Sequence, residues 1–88
     1  MKTNPQNFEA NMNLGVVYKR KGLFDEAIKY YQKAKLLQPQ SPNIYNNLGN
    51  TYKMKGEFKL AMKEYLTAIK INPNYAEVYN SLGTLMKI

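Results

Sequence analysis

Two sets of polar residues recur at one fixed spacing. Asn13, Asn47 and Ser81 stand 34 positions apart, and Lys19, Lys53 and Lys87 repeat at the same interval. A carboxamide carries a donor and an acceptor together, so a row of asparagines can satisfy both the N–H and the C=O of an extended peptide, whatever its side chains. A lysine row attracts acidic side chains or a terminal carboxylate as point charges, without the paired geometry that arginine imposes. Lysine near the end of a helix also offsets the helix dipole, so both readings of that row stay open. The amides are densest at Asn43, Asn46, Asn47 and Asn50, which share one helical face although Asn is a weak helix former.

Bond-making chemistry finds no comparable set. The chain has no His and no Cys, which removes the usual general base, the thiolate nucleophile and the commonest metal ligands. Asp25 and Glu26 are adjacent and point to different parts of one helix. Glu57 and Glu64 are two turns apart, with no partner acid, base or glycine-rich phosphate loop. The expectation is a protein that is not an enzyme and holds no cofactor and no metal.

The elements that position the amides must fit into 88 residues, enough for one small domain or one short array. A chain this short buries only about two-thirds of its unfolded surface, so its core is thin. Thirteen Lys and Arg against six Asp and Glu leave a net charge of +7, yet 44% of residues are hydrophobic, too many for a disordered polycation. Apolar runs are too short for a membrane span, and the polar start lacks a secretory leader's apolar stretch, so the default compartment is cytoplasmic.

Sliding the sequence over itself by 34 explains the spacing of the polar rows. Leu14, Leu48 and Leu82 align, as do Gly15, Gly49 and Gly83. Tyr18 falls on Tyr52, Gly22 on Gly56, Phe24 on Phe58, Ala27 on Ala61, Tyr31 on Tyr65, Ala34 on Ala68 and Pro39 on Pro73. The chain therefore reads as a single domain over 1–88 with two full units, 8–41 and 42–75, and a partial third, 76–88. A stub at Thr3–Asn7 copies the end of a unit. Periodicity and capping residues place helices at Asn7–Lys21, Phe24–Gln38, from Pro42 to the stop at Gly56, Phe58–Ile71 and Tyr75–Lys87. Ser41 and Pro42 supply an N-cap and a first helical residue. Gly56 supplies a left-handed end. The mid-helix glycines are expected to allow close helix approach against Ala27, Ala34, Ala61 and Ala68, with Tyr31 and Tyr65 filling the gaps between successive helix pairs.

These residues resemble the tetratricopeptide repeat family, whose pattern is Trp-x-x-Leu-Gly-x-x-Tyr, then Ala-x-x-x-Phe, then Pro. The second unit offers Tyr45-x-x-Leu48-Gly49-x-x-Tyr52, Ala61-x-x-x-Tyr65 and Pro73. The first offers Asn11-x-x-Leu14-Gly15-x-x-Tyr18, Ala27-x-x-x-Tyr31 and Pro39, and the third Tyr79-x-x-Leu82-Gly83-x-x-Met86. Departures are Asn11, where an aromatic is usual, and Met86 in place of Tyr. The resemblance implies an all-α fold, a right-handed α–α superhelix of five antiparallel helices whose first helix in each pair lines a concave groove. It also implies a non-catalytic scaffold that holds an extended peptide or a partner helix there.

Projected onto that pattern, the groove residues are Met12, Asn13, Val16, Lys19 and Arg20 on the first helix. On the third they are Asn43, Asn46, Asn47, Asn50 and Lys53, and on the fifth Asn80, Ser81, Thr84 and Lys87; Glu9, Met54 and Glu77 flank them. Met12 and Val16 are expected to form a small apolar pocket or to serve lateral packing. The subclass that clamps acidic chaperone tails has Lys, Asn, Asn, Lys and Arg where this chain has Met12, Val16, Asn47, Glu77 and Ser81. Only Asn47 agrees, so no such clamp is expected.

The partner is therefore read as a protein or peptide, acidic if the lysine row is functional. No membrane partner is expected. RNA binding through the basic surface is the alternative, disfavoured because the lysines are spread over several faces and most tyrosines fall on packing positions. Val78, Leu85 and Ile88 leave an apolar C-terminal edge, read either as continuing into a longer array or as the seam of a homo-oligomer. A filter-binding assay over a salt series separates RNA from peptide: phosphate contacts give a steep salt slope, and the peptide reading expects no RNA retention at all.

Overall fold

Asn7 starts the first helix by local chemistry: its Oδ1 accepts a hydrogen bond from the Ala10 N–H at 2.9 Å, satisfying one of the donors that a helix start leaves open. The computed structural model describes residues 7–86; the stub at Thr3–Gln6 and Lys87 and Ile88 lie outside the described residues. Helix α1 spans Phe8–Arg20, α2 Phe24–Leu37, α3 Pro42–Lys55, α4 Phe58–Ile71 and α5 Ala76–Met86. Among the described residues there is no strand. The class is all-α, with no helix long and apolar enough to cross a membrane.

The same turn is built twice. Gly22 and Gly56 adopt φ of +79° and +90°, a region that glycine enters without a Cβ penalty. The chain then folds back so that Leu23 N–H reaches Tyr18 O at 2.9 Å and Glu57 N–H reaches Tyr52 O at 2.8 Å. These bonds satisfy carbonyls that the helix ends would otherwise leave open. At the far ends, Gln38 and Asn72 leave the helical region, with ψ of 77° and 92°, because Pro39 and Pro73 follow them. Ser41 does stand at the N-cap of α3, but its side chain makes no capping bond. The entry is set instead by Pro42, whose ring holds a helical φ and removes one N–H that would need a partner.

Contacts divide the chain into two compact units, one ending at Pro39 and one beginning at Gln40. In the first, α1 and α2 pack as a hairpin over Ala27, Tyr31 and Ala34, all fully buried. Tyr18 and Tyr30 stack beside them with ring centroids 5.4 Å apart, and the Lys33 ammonium lies 5.2 Å from the Tyr30 ring centre. Asn11 is also buried, and its Nδ2 donates to the Asn7 carbonyl at 2.9 Å. In the second unit α3 and α4 form the equivalent hairpin, and α5 packs on α4 and α3. Its core is Ile44, Tyr45, Leu48, Ala61, Tyr65, Ala68, Val78 and Leu85; Val78 and Leu85, expected at an open apolar edge, are thus inside, packed where α5 meets α4 and α3.

The structure corrects the reading of the mid-helix glycines. A Cβ on Gly15 would sit 2.4 Å from Cε1 of Tyr31, and one on Gly49 would sit 2.5 Å from Cε1 of Tyr65. The close approach is therefore a tyrosine ring laid on a glycine within one hairpin. The atoms nearest each glycine belong to the ring and not to an alanine, and Tyr65 also reaches Ser81 of the next helix. At Gly83 nothing among the described residues lies within 4 Å of the added atom.

This difference is measurable. Gly49→Ala should overpack at a cost of about 1–3 kcal/mol, outweighing the roughly 1 kcal/mol that alanine gains in a helix; Gly83→Ala should keep that gain. Urea unfolding should thus move the midpoint down for the first variant and up for the second. Equal gains for both would mean that the ring contact does not limit the hairpin.

Candidate functional site

The amide face of α3 follows from helical spacing. Asn43, Asn46, Asn47 and Asn50 are three or four residues apart, so their side chains leave one side of the helix. Asn43 is exposed, Asn47 and Asn50 are half-buried, and Asn46 is only 6% exposed. Three of the four are held by neighbours within their own unit. Tyr75 OH donates to Asn43 Oδ1 at 2.7 Å, Tyr65 OH donates to Asn50 Oδ1 at 2.5 Å, and Asn46 Nδ2 donates to Glu77 Oε2 at 3.5 Å. Each bond uses one of the several positions an amide offers, so Asn43 and Asn50 are oriented while keeping capacity for a ligand, whereas Asn46, expected in the groove, lies inside. The Asn46 Oδ1 is buried with no hydrogen-bond partner among the described residues.

The phenols that orient the amides are kept neutral. Burial raises the Tyr65 pKa, and a hydrogen bond with Ser81 works in the opposite direction. Burial also raises that of Tyr75, the charge of Glu77 adds to it, and a hydrogen bond with Asn46 opposes both. Tyr45 is raised by burial and then by Glu64. Glu64 itself is only 6% exposed. Its place three residues after Ala61 and four before Ala68 puts it inside the buried stripe.

The remaining expected residues fall as follows. Lys53 is half-buried at the end of the α3 face and Met54 is exposed. On α5, Asn80 and Thr84 are exposed and Ser81 is half-buried; the Thr84 hydroxyl donates back to Asn80 O at 3.1 Å. Lys87 is outside the described residues. In the first unit Met12, Val16 and Lys19 are half-buried, while Asn13 and Arg20 are exposed. Burial, and then the neighbouring Arg20 charge, lower the Lys19 pKa. Within the second unit two hydrogen-bonded sets form, Asn43 and Asn46 around Tyr75 and Asn50 and Ser81 around Tyr65. The sequence reading missed Tyr65 and Tyr75 as their organisers. Tyr75 lies 32 residues after Asn43, close to the repeat length, which was the available signal. Among the described residues no group of three His, Cys, Asp or Glu side chains is placed to hold a metal ion.

Comparison with known proteins agrees on the architecture. A sequence model described as tetratricopeptide repeat matches residues 6–74. No curated protein matches the chain. Among solved structures it is similar to the first TPR of Spaghetti (RPAP3), bound to the HSP90 peptide SRMEEVD, with 23% identity and a TM-score of 0.89 over 96% of this chain and 67% of that one. It is similar to MamA, with 32% identity and a TM-score of 0.87 over 96% of this chain and 49% of that one. YrrB, described as a TPR protein with an unusual peptide-binding site, gives 24% identity and a TM-score of 0.88 over 91% of this chain and 41% of that one. The chain thus spans about half of MamA and less than half of YrrB.

The site carries its own pH test. Tyr45, Tyr65 and Tyr75 all have raised pKa values, so the folded state favours the protonated phenols. Their contribution is whole below the unfolded tyrosine value of about 10 and is lost as pH rises through the folded values. Unfolding midpoints from about pH 8 to about pH 11.5 should therefore fall at the alkaline end. Tyr65→Phe should lower the neutral-pH midpoint, by about 1 kcal/mol for the lost Asn50 bond, and make the alkaline fall shallower. An unchanged alkaline slope would remove Tyr65 as its source.

Proposed function

The chain belongs to the tetratricopeptide repeat family, and from that premise we propose that it is a non-catalytic interaction scaffold whose 1–88 span, with repeats 8–41 and 42–75 and a partial repeat 76–88, acts as one binding domain. The ligand is an extended peptide, or a partner helix, laid on the first helix of each repeat. The observation that carries this reading is the amide face of α3. Four asparagines share one side, and three are held by Tyr75, Tyr65 and Glu77. Oriented amides cost a ligand less ordering than free ones. Fold alone does not assign a ligand. The neighbours described with peptides stand at an identity that supports the scaffold only.

Within this reading the amides contact peptide backbone, and Lys53 at the end of the same face favours an acidic residue. Asn80, Ser81 and Thr84 extend the face on α5, and Lys87 continues its lysine row. In the first unit Met12, Asn13, Val16, Lys19 and Arg20 serve the equivalent helix. Glu77, exposed beside Asn46, repels a ligand carboxylate at that point, which argues against an acidic chaperone tail. Against RNA, the Tyr18 and Tyr30 rings already stack on each other, and Tyr31, Tyr45 and Tyr65 are buried, which takes these rings out of use as base platforms.

A peptide array probed with the intact chain tests the proposal. Asn47→Ala should weaken bound sequences alike, by about fivefold for a lost hydrogen bond or two, because backbone contacts ignore side chains. Lys53→Ala should weaken the acidic sequences selectively. The peptide SRMEEVD should not bind measurably. Indifference of all captured peptides to Asn47→Ala would remove the amide face as the site.

A further inference from the structure

Helix α4 carries a second surface, directed away from the core of its unit. Ala61, Glu64, Tyr65 and Ala68 form its buried side. At 100° per residue, Lys59, Met62, Lys63, Leu66, Thr67 and Lys70 fall on the opposite side, and they line a shallow groove of about 470 Å³. The three lysines are exposed, and so are Met62 and Leu66, at 37% and 54%. From Lys59 to Lys70 the face runs about 16 Å, three turns of helix. No acidic residue lies on it.

The fold does not require this face. Positions that build the hairpin are the same in both repeats, Ala61 with Ala27, Tyr65 with Tyr31 and Ala68 with Ala34. The groove positions agree less: Lys63 matches Lys29, but Lys59, Leu66 and Lys70 stand 34 residues after Asp25, Gln32 and Leu36. A lysine-rimmed apolar strip is thus particular to α4, unlike the scattered exposed apolar residues of any surface.

We infer that this outer face of α4 docks an acidic amphipathic helix of a partner protein. The partner's apolar side chains enter between Met62 and Leu66, and its Asp and Glu side chains flank them against Lys59, Lys63 and Lys70. The charge pattern selects this occupant. A second copy carries the same +7 and is repelled at long range. A lipid surface needs a broad, continuous apolar face, whereas here the exposed apolar side chains of α4, Phe58, Leu60, Met62 and Leu66, are interrupted by Lys59, Lys63 and Lys70, and Met62 and Leu66 line a shallow open groove that a helix's side chains can enter. The inference is independent of the α3 amide face.

The test uses the intact chain and a fluorescein-labelled 16-residue probe, about four turns long, with Leu at three- and four-residue spacing and Glu on both flanks. Fluorescence anisotropy should show binding that weakens as salt is raised. Leu66→Ala should weaken it about fivefold, and combined Lys59→Glu, Lys63→Glu and Lys70→Glu more than tenfold. Lys29→Glu, an exposed change on α2, should leave it unchanged. All these positions are exposed, and circular dichroism of each variant should match the parent. The inference is overturned if the probe does not bind, if it binds the triple variant equally well, or if a scrambled probe of the same composition binds as tightly. It is also overturned if the Leu66 and lysine dependence appears only with phosphatidylserine-containing vesicles, which would make the occupant a lipid surface, or only as self-association in sedimentation velocity, which would make it a second copy.

Discussion

A tyrosine ring lying flat on a glycine sets the geometry of each hairpin. Neither Gly15 nor Gly49 has room for a methyl group beside Tyr31 or Tyr65, so the ring limits how closely the paired helices approach. Alanines on either side of the ring, Ala27 and Ala34 or Ala61 and Ala68, are fully buried and keep the helices at that distance. A helix interior tolerates the glycine's poor propensity because the ring contact returns more in packing than the glycine loses.

That same ring reaches the functional face. Tyr65 buries its carbon skeleton in the hairpin and extends its hydroxyl to Asn50, so one side chain belongs to both the core and the amide row. Tyr75 does the equivalent from the turn before α5, holding Asn43. Buried phenols resist ionisation and so remain donors at neutral pH, which is what an amide oxygen needs. The row is thereby ordered by the packing beneath it, where isolated asparagines on a helix surface would rotate freely.

The two long faces of the second unit divide along chemistry. Helix α3 presents neutral amides at Asn43, Asn47 and Asn50, suited to a peptide backbone, while α4 turns lysines with Met62 and Leu66 outward, suited to an acidic helix. The hairpin packing beneath both faces is carried by the Gly, Ala and Tyr positions common to both repeats.

Much of this was legible in the residues alone. The 34-residue period, the left-handed glycines, the proline stops and the helix bounds all follow from local chemistry, in which each residue's own backbone preference acts within a few positions. The amide face was legible for the same reason, since its spacing is that of one helix. What the residues alone left undecided needs a second helix to be present. Gly49 lies under an aromatic ring and not against alanine, Glu64 is inside, and Asn43 and Asn50 are held by phenols 32 and 15 residues away. Those facts depend on the rotation of one helix against another, and only packing in three dimensions, where area and hydrogen bonds are counted together, selects it.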